Sequence, residues 1–222
     1  AKKAKPLPFG HKLVLNQWIV SLFGFDPLKD HKDDKRTLRP MSPIASTVKD
    51  APEGMNAENL HHFYRELDIH LQQGSQITRE DLLRYEHNIV SHTLAINEKR
   101  QRPIIWKYFQ WLSLLFAEIY LDRFFADRDG LHEQLNTYVD SFNDYWTQAG
   151  YETGITSYAV EDLNKLCLQN ATGSGKTLLM HVNFLQFRHY AEASPLKDDL
   201  TRTILISTNE SLSEQHRKEM KA

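Results

Sequence analysis

Apolar positions recur at helical spacing through most of the chain. Leu15, Trp18, Ile19 and Leu22 predict a helix over Leu13 to Phe23, ended by Gly24 and Pro27. Leu60, Phe63, Leu67 and Leu71 mark a second over Asn56 to Gln73, with Gly74 after its end. Thr78, with Asp81 three residues on, reads as the capped start of a third, whose stripe is Leu82, Tyr85, Ile89, His92 and Ile96. From Pro103 to about Asp127 the apolar residues wrap more than one face, so this segment is expected to be packed on several sides. Gly130 separates it from another helix over Leu131 to Thr147. Residues 10–150 therefore predict an all-helical domain built around the Pro103–Asp127 helix. Residues 1–9, basic and proline-bearing, are expected to be a flexible tail, and residues 26–54, rich in proline and charge, a loop or extended arm.

The pattern changes after residue 150. Residues 148–162 hold Gly150 and Gly154 with no clear period and are taken as a junction. Lys165 to Gln169 alternates like a short buried strand. Leu178, Leu179, Val182, Leu185 and Tyr190 then return to helical spacing, Arg202 to Ser207 reads as a second buried strand, and a polar helix opens near Ser211. Two strands joined by a crossover helix are the opening of a parallel α/β sheet.

Composition bounds what this can be. With 41% hydrophobic and 25% charged residues, the 222-residue chain can bury a core, and a net charge of −2 argues against binding nucleic acid by bulk charge alone, leaving a groove of local positive charge open. The most apolar segment, Ile104 to Phe125, carries Lys107, Glu118, Asp122 and Arg123, so a membrane span is not expected, and neither is a secretory signal. The one cysteine, Cys167, has no internal disulfide partner and is read as a small buried apolar residue in a reducing compartment, the cytoplasm. The eleven histidines do not have zinc-site spacing: His87 and His92 are five apart, and no carboxylate or cysteine set completes His61, His62 and His70.

Chemistry concentrates in Asn170-Ala171-Thr172-Gly173-Ser174-Gly175-Lys176-Thr177. Gly173 and Gly175 free the backbone to turn its N–H groups onto a polyphosphate. Lys176 supplies charge to the β and γ phosphates, and Thr177 a hydroxyl for a phosphate-bound Mg²⁺. A helix leaving near Gly175 aims its dipole at the same anion. The bland alternative is a solvated Gly/Ser turn carrying a surface lysine.

Thr172 to Thr177 resembles motif I of superfamily-2 helicases and translocases; Asn170 stands where the general pattern has Gly or Ala. Thr208-Asn209-Glu210-Ser211-Leu212-Ser213-Glu214-Gln215 resembles motif Ia, with Thr208 in place of its proline and with Leu212 and Gln215 matching. A simple capped helix would look similar. Leu13 to Trp18, Trp106 to Gln110 and Glu118 to Arg123 look like the N-terminal region of large bacterial DEAD/DEAH-box proteins similar to the restriction subunit of type III restriction enzymes.

The resemblance implies a fold of an all-helical N-terminal domain followed by the start of a RecA-like parallel α/β P-loop ATPase lobe over residues 151–222. It implies an ATP-dependent DNA helicase or translocase in restriction or phage defence, with ATP and Mg²⁺ as cofactors. DNA is the implied substrate, and a methyltransferase, specificity or other defence-system subunit is an implied partner. It implies nucleotide binding by Thr172, Gly173, Ser174, Gly175, Lys176 and Thr177, catalytic roles for Lys176 and Thr177, and nucleic-acid contacts from Asn209, Ser211 and Gln215. The family's Asp-Glu motif II is not in these residues, and Glu219-Met220-Lys221 matches a nuclease motif by letters only. The chain is accordingly expected to be the N-terminal portion of a longer protein, able to bind nucleotide and unable to turn it over alone. The rival expectation is a nucleotide-binding module whose helical domain binds a protein partner.

Overall fold

The computed structural model describes residues 4–28, 41–98, 100–168, 173–200, 202, 204, 206 and 210–221. It is mostly helical: α1 (Val14–Leu22), α2 (Ser42–Val48), α3 (His62–Ile69), α4 (Arg79–Asn97), α5 (Tyr108–Ala126), α6 (Arg128–Gln148), α7 (Lys176–Glu192) and α8 (Glu210–Lys221).

The helix apolar nearly all round is the centre, as its pattern predicts. Helix α5 buries Trp111, Leu112, Leu114, Leu115, Ile119 and Tyr120, and packs against α1, α2, α4, α6 and α7. Residues of α1, α3, α4, α5 and α7 share one apolar cluster. Helix α4 starts where its cap predicts: Thr78 Oγ1 accepts the Asp81 N–H at 3.0 Å, and Asp81 Oδ2 accepts the Thr78 N–H at 3.2 Å. Asp127 plays the matching part for α6, its Oδ1 accepting the Gly130 N–H at 2.9 Å. Gly130 thus lies inside the first turn of α6 and does not separate two elements by itself.

Several expectations change. Ser42–Val48, expected as loop, is helix α2, because Pro43 suits a first turn and Ile44 and Val48 reach the core. The helix from Pro103 starts five residues later, at Tyr108. Before it, Trp106 is drawn into the core and donates its Nε1–H to Thr93 Oγ1 at 2.8 Å, which holds the backbone extended. The tail over residues 1–9 is not free at its far end. Lys5–Pro6 (β1) pairs in parallel with Tyr151–Glu152 (β2), and Leu7 is buried beside Val14, Val139, Phe142 and Trp146.

The two buried strands expected after residue 150 do not form among the described residues. Lys165 to Leu168 are irregular and exposed, Cys167 included. Ile204 and Ile206 are 81% and 88% exposed, with no regular structure. The reason is pairing: a strand needs a neighbour to satisfy its backbone groups, and the described residues supply none beside either segment. Gln169 and the remaining residues of the second segment lie outside the described set, as do Asn170, Ala171, Thr172 and Asn209.

Candidate nucleotide-binding site

The loop ahead of α7 has the backbone its glycines permit. Gly173 takes φ +78° and Gly175 φ +81°, both in the left-handed region that side chains disfavour. Gly175 is the N-cap of α7, and its carbonyl accepts the Leu179 N–H at 3.1 Å. The chain therefore turns sharply on either side of Ser174 and runs straight into a helix. The first turn of that helix leaves the N–H groups of Lys176, Thr177 and Leu178 without intrahelical acceptors.

Within that turn Lys176 is exposed and Thr177 half-buried. The Ser174 hydroxyl is buried and has no hydrogen-bond partner among the described residues. Thr177, one residue after the lysine at the head of the helix, is the hydroxyl that the motif assigns to a phosphate-held Mg²⁺. Half-buried, it keeps part of its side chain accessible, so the residue fits a ligand to that ion.

One contact to the loop comes from far away in sequence. Gln110, in the first turn of α5, donates Nε2–H to the Ser174 carbonyl at 2.7 Å, while its Oε1 accepts the Lys107 N–H at 2.9 Å. A Cβ on Gly175 would lie 2.7 Å from that Nε2, so a side chain here displaces the Gln110 amide besides straining the dihedral. Sequence reasoning missed Gln110. The only signal was its place three residues after Lys107 at a helix start.

The body of α7 anchors the loop. Leu179 and Val182 enter the shared core and Tyr190 is buried near the far end, as the stripe predicts. A polar cluster crosses three helices. Glu118 of α5 accepts from Gln186 Nε2 at 2.7 Å and Tyr190 OH at 2.6 Å, both of α7, and from Asn88 Nδ2 of α4 at 3.0 Å. Gln186 also donates to the Leu114 carbonyl at 3.0 Å. Burial pushes the Glu118 carboxyl above its ordinary value, against the three donors that pull it down. A second buried carboxylate, Glu86, ties α3 to α5 by accepting from His61 Nδ1 at 2.8 Å and Trp111 Nε1 at 2.9 Å.

The outer face of α7 borders an apolar cavity of about 520 Å³, walled by Phe124 and Phe125 of α5, Phe184 and Phe187 of α7, and Leu166 and Leu200. Of the motif Ia residues, Ser211 is exposed in the first turn of α8; Gln215 lies in the same helix. Helix α8 meets α7 through His216 and His181, whose ring centroids are 6.0 Å apart. Among the described residues no group of three or more His, Cys, Asp or Glu side chains converges as a metal site would require. None of their helices is long and apolar enough to cross a membrane.

No protein-family model matches this chain, no curated protein matches it, and no solved structure matches it.

Proposed function

We propose that the loop over residues 170–177 holds the triphosphate of ATP with Mg²⁺, and that the protein is an ATP-driven DNA helicase or translocase of the restriction-enzyme type. The observation that carries the nucleotide reading is the pair of left-handed glycines flanking Ser174 at the head of a seventeen-residue helix. Such a backbone can turn consecutive N–H groups toward an anion, and the helix dipole adds its positive end there. Lys176 then neutralises phosphate charge, Thr177 holds the ion, and Thr172 through Gly175 wrap the anion. The bound Mg²⁺ supplies charge neutralisation on the phosphate oxygens.

Isothermal titration with MgATP tests this. Lys176→Ala is expected to weaken binding at least tenfold, on the order of the 1.5–3 kcal/mol of a charge-assisted contact. Equal binding by the two chains would refute it.

The motor part of the reading rests on the motif resemblance. In it, a RecA-like lobe starts with the loop, and Asn209, Ser211 and Gln215 touch the DNA backbone at the head of α8. It goes with a cytoplasmic location and, in restriction or phage defence, with a methyltransferase or specificity subunit as partner. Turnover of ATP is expected only from a chain that also carries a metal-orienting acidic pair and a second lobe, and it should be stimulated by duplex DNA.

A second reading is favoured by the apolar cavity beside α7, which suits a protein partner of the helical layer without any DNA motor. ATP turnover indifferent to DNA, with a stable heteromeric complex in light scattering, would select it.

A further inference from the structure

We propose that Gln110 is a positioning residue for the phosphate loop: its amide clamps the Ser174–Gly175 peptide so that the Gly175 N–H is aimed at the bound anion before the anion arrives. The inference rests on the nucleotide reading and deepens it.

The geometry is that of one peptide plane. In a trans peptide the carbonyl and the following N–H point in opposite directions. Every described peptide bond here is trans. The Ser174 carbonyl is drawn toward α5 by Gln110 Nε2 at 2.7 Å. The N–H of Gly175 therefore points away from the Gln110 amide. This plane turns about the Ser174 Cα–C and Gly175 N–Cα bonds, and the missing Cβ at Gly175 widens the range open to it, so the orientation needs a tether. Gln110 supplies it from a fixed base. Its own Oε1 is held by the Lys107 N–H at 2.9 Å, so the amide cannot turn over without losing the α5 cap. Both helices begin at this end, and the buried Glu118, Gln186 and Tyr190 cluster locks α7 to α5 further along. The clamp thus spans two elements already fixed to each other, which is what preorganisation of a binding loop requires.

The two ends of the Gln110 amide can be separated by substitution. Gln110→Glu keeps an oxygen for the Lys107 cap, where Glu is a favoured residue, and loses the donor to Ser174. Gln110→Met loses both and adds no charge. The experiment measures binding of a fluorescent ATP analogue with Mg²⁺ by anisotropy, and amide hydrogen exchange over residues 173–177 without nucleotide. Both variants should bind about five- to tenfold more weakly, the range set by one net hydrogen bond. Both should exchange faster across the loop, while Gln110→Glu melts with the unmodified chain. A Gln110→Met chain that binds within twofold of the unmodified one, with unchanged exchange over 173–177, overturns the clamp and leaves the nucleotide reading standing. An unmodified chain that binds no more analogue than Lys176→Ala overturns both.

Discussion

At the scale of single residues, the buried polar groups carry more consequence than the apolar ones around them. Glu118 is surrounded by donors from two other helices, and without it the buried Tyr190 hydroxyl would lose its acceptor and Gln186 and Asn88 one of theirs. Glu118→Leu is expected to destabilise the fold by about 3 kcal/mol, since buried donors then lose both water and partner. Glu118→Gln should cost less, because one amide oxygen still accepts. Chemical denaturation of the two variants checks the order; equal losses would show that the cluster acts as packing alone. Much of the candidate site was legible at this scale. The requirement for left-handed backbone at Gly173 and Gly175 follows from residue type and spacing, and the dihedrals meet it. Gln110 was not legible, because its contact with Ser174 spans 64 positions and depends on how two helices dock.

At the scale of elements, the seam between α4 and α7 contains a titrating group. His92 of α4 faces His189 of α7 with ring centroids 5.9 Å apart. Burial, helped by that neighbour, lowers the His92 imidazole from its ordinary 6.5 to about 4. Between those values the unfolded chain takes up a proton that the folded chain refuses. Stability from this residue is therefore full above pH 6.5 and falls as the pH drops toward 4. Melting curves across that range should fall less steeply for His92→Gln; parallel curves would show that another group sets the acid limb. The elements that were legible in the sequence are those with a complete local signal. Helix α4 has its cap and stripe, and α5 its all-round apolarity. Helix α2 was hidden because its two core residues, Ile44 and Val48, follow a proline and charge-rich stretch whose composition speaks for loop. The described residues of the segments expected as strands, 165–168 with 202, 204 and 206, show the opposite case. Their apolar alternation is strand-like, yet a strand exists only with a paired neighbour, which local pattern does not report.

At the scale of the whole molecule, the described residues form a helical layer with one loop-bearing helix docked into it and one apolar face left open. Leu166 and Leu168 line that face and are themselves exposed. Replacing both with serine should lower the fluorescence of a bound hydrophobic dye by roughly half while leaving the melting temperature in place, as expected of surface apolar groups that support no core. A large drop in melting temperature would instead assign those leucines to the folded interior.

The short parallel pairing of β1 with β2 has a mechanical meaning. The Lys5 N–H reaches the Gly150 carbonyl at 3.2 Å and the Leu7 N–H the Glu152 carbonyl at 3.1 Å, so the end of α6 comes back beside the segment that leads into α1. Tension drawn between residue 4 and residue 153 is then taken first by this clasp and by Leu7 seated near Trp146, and reaches α1 and α6 only after the clasp has torn.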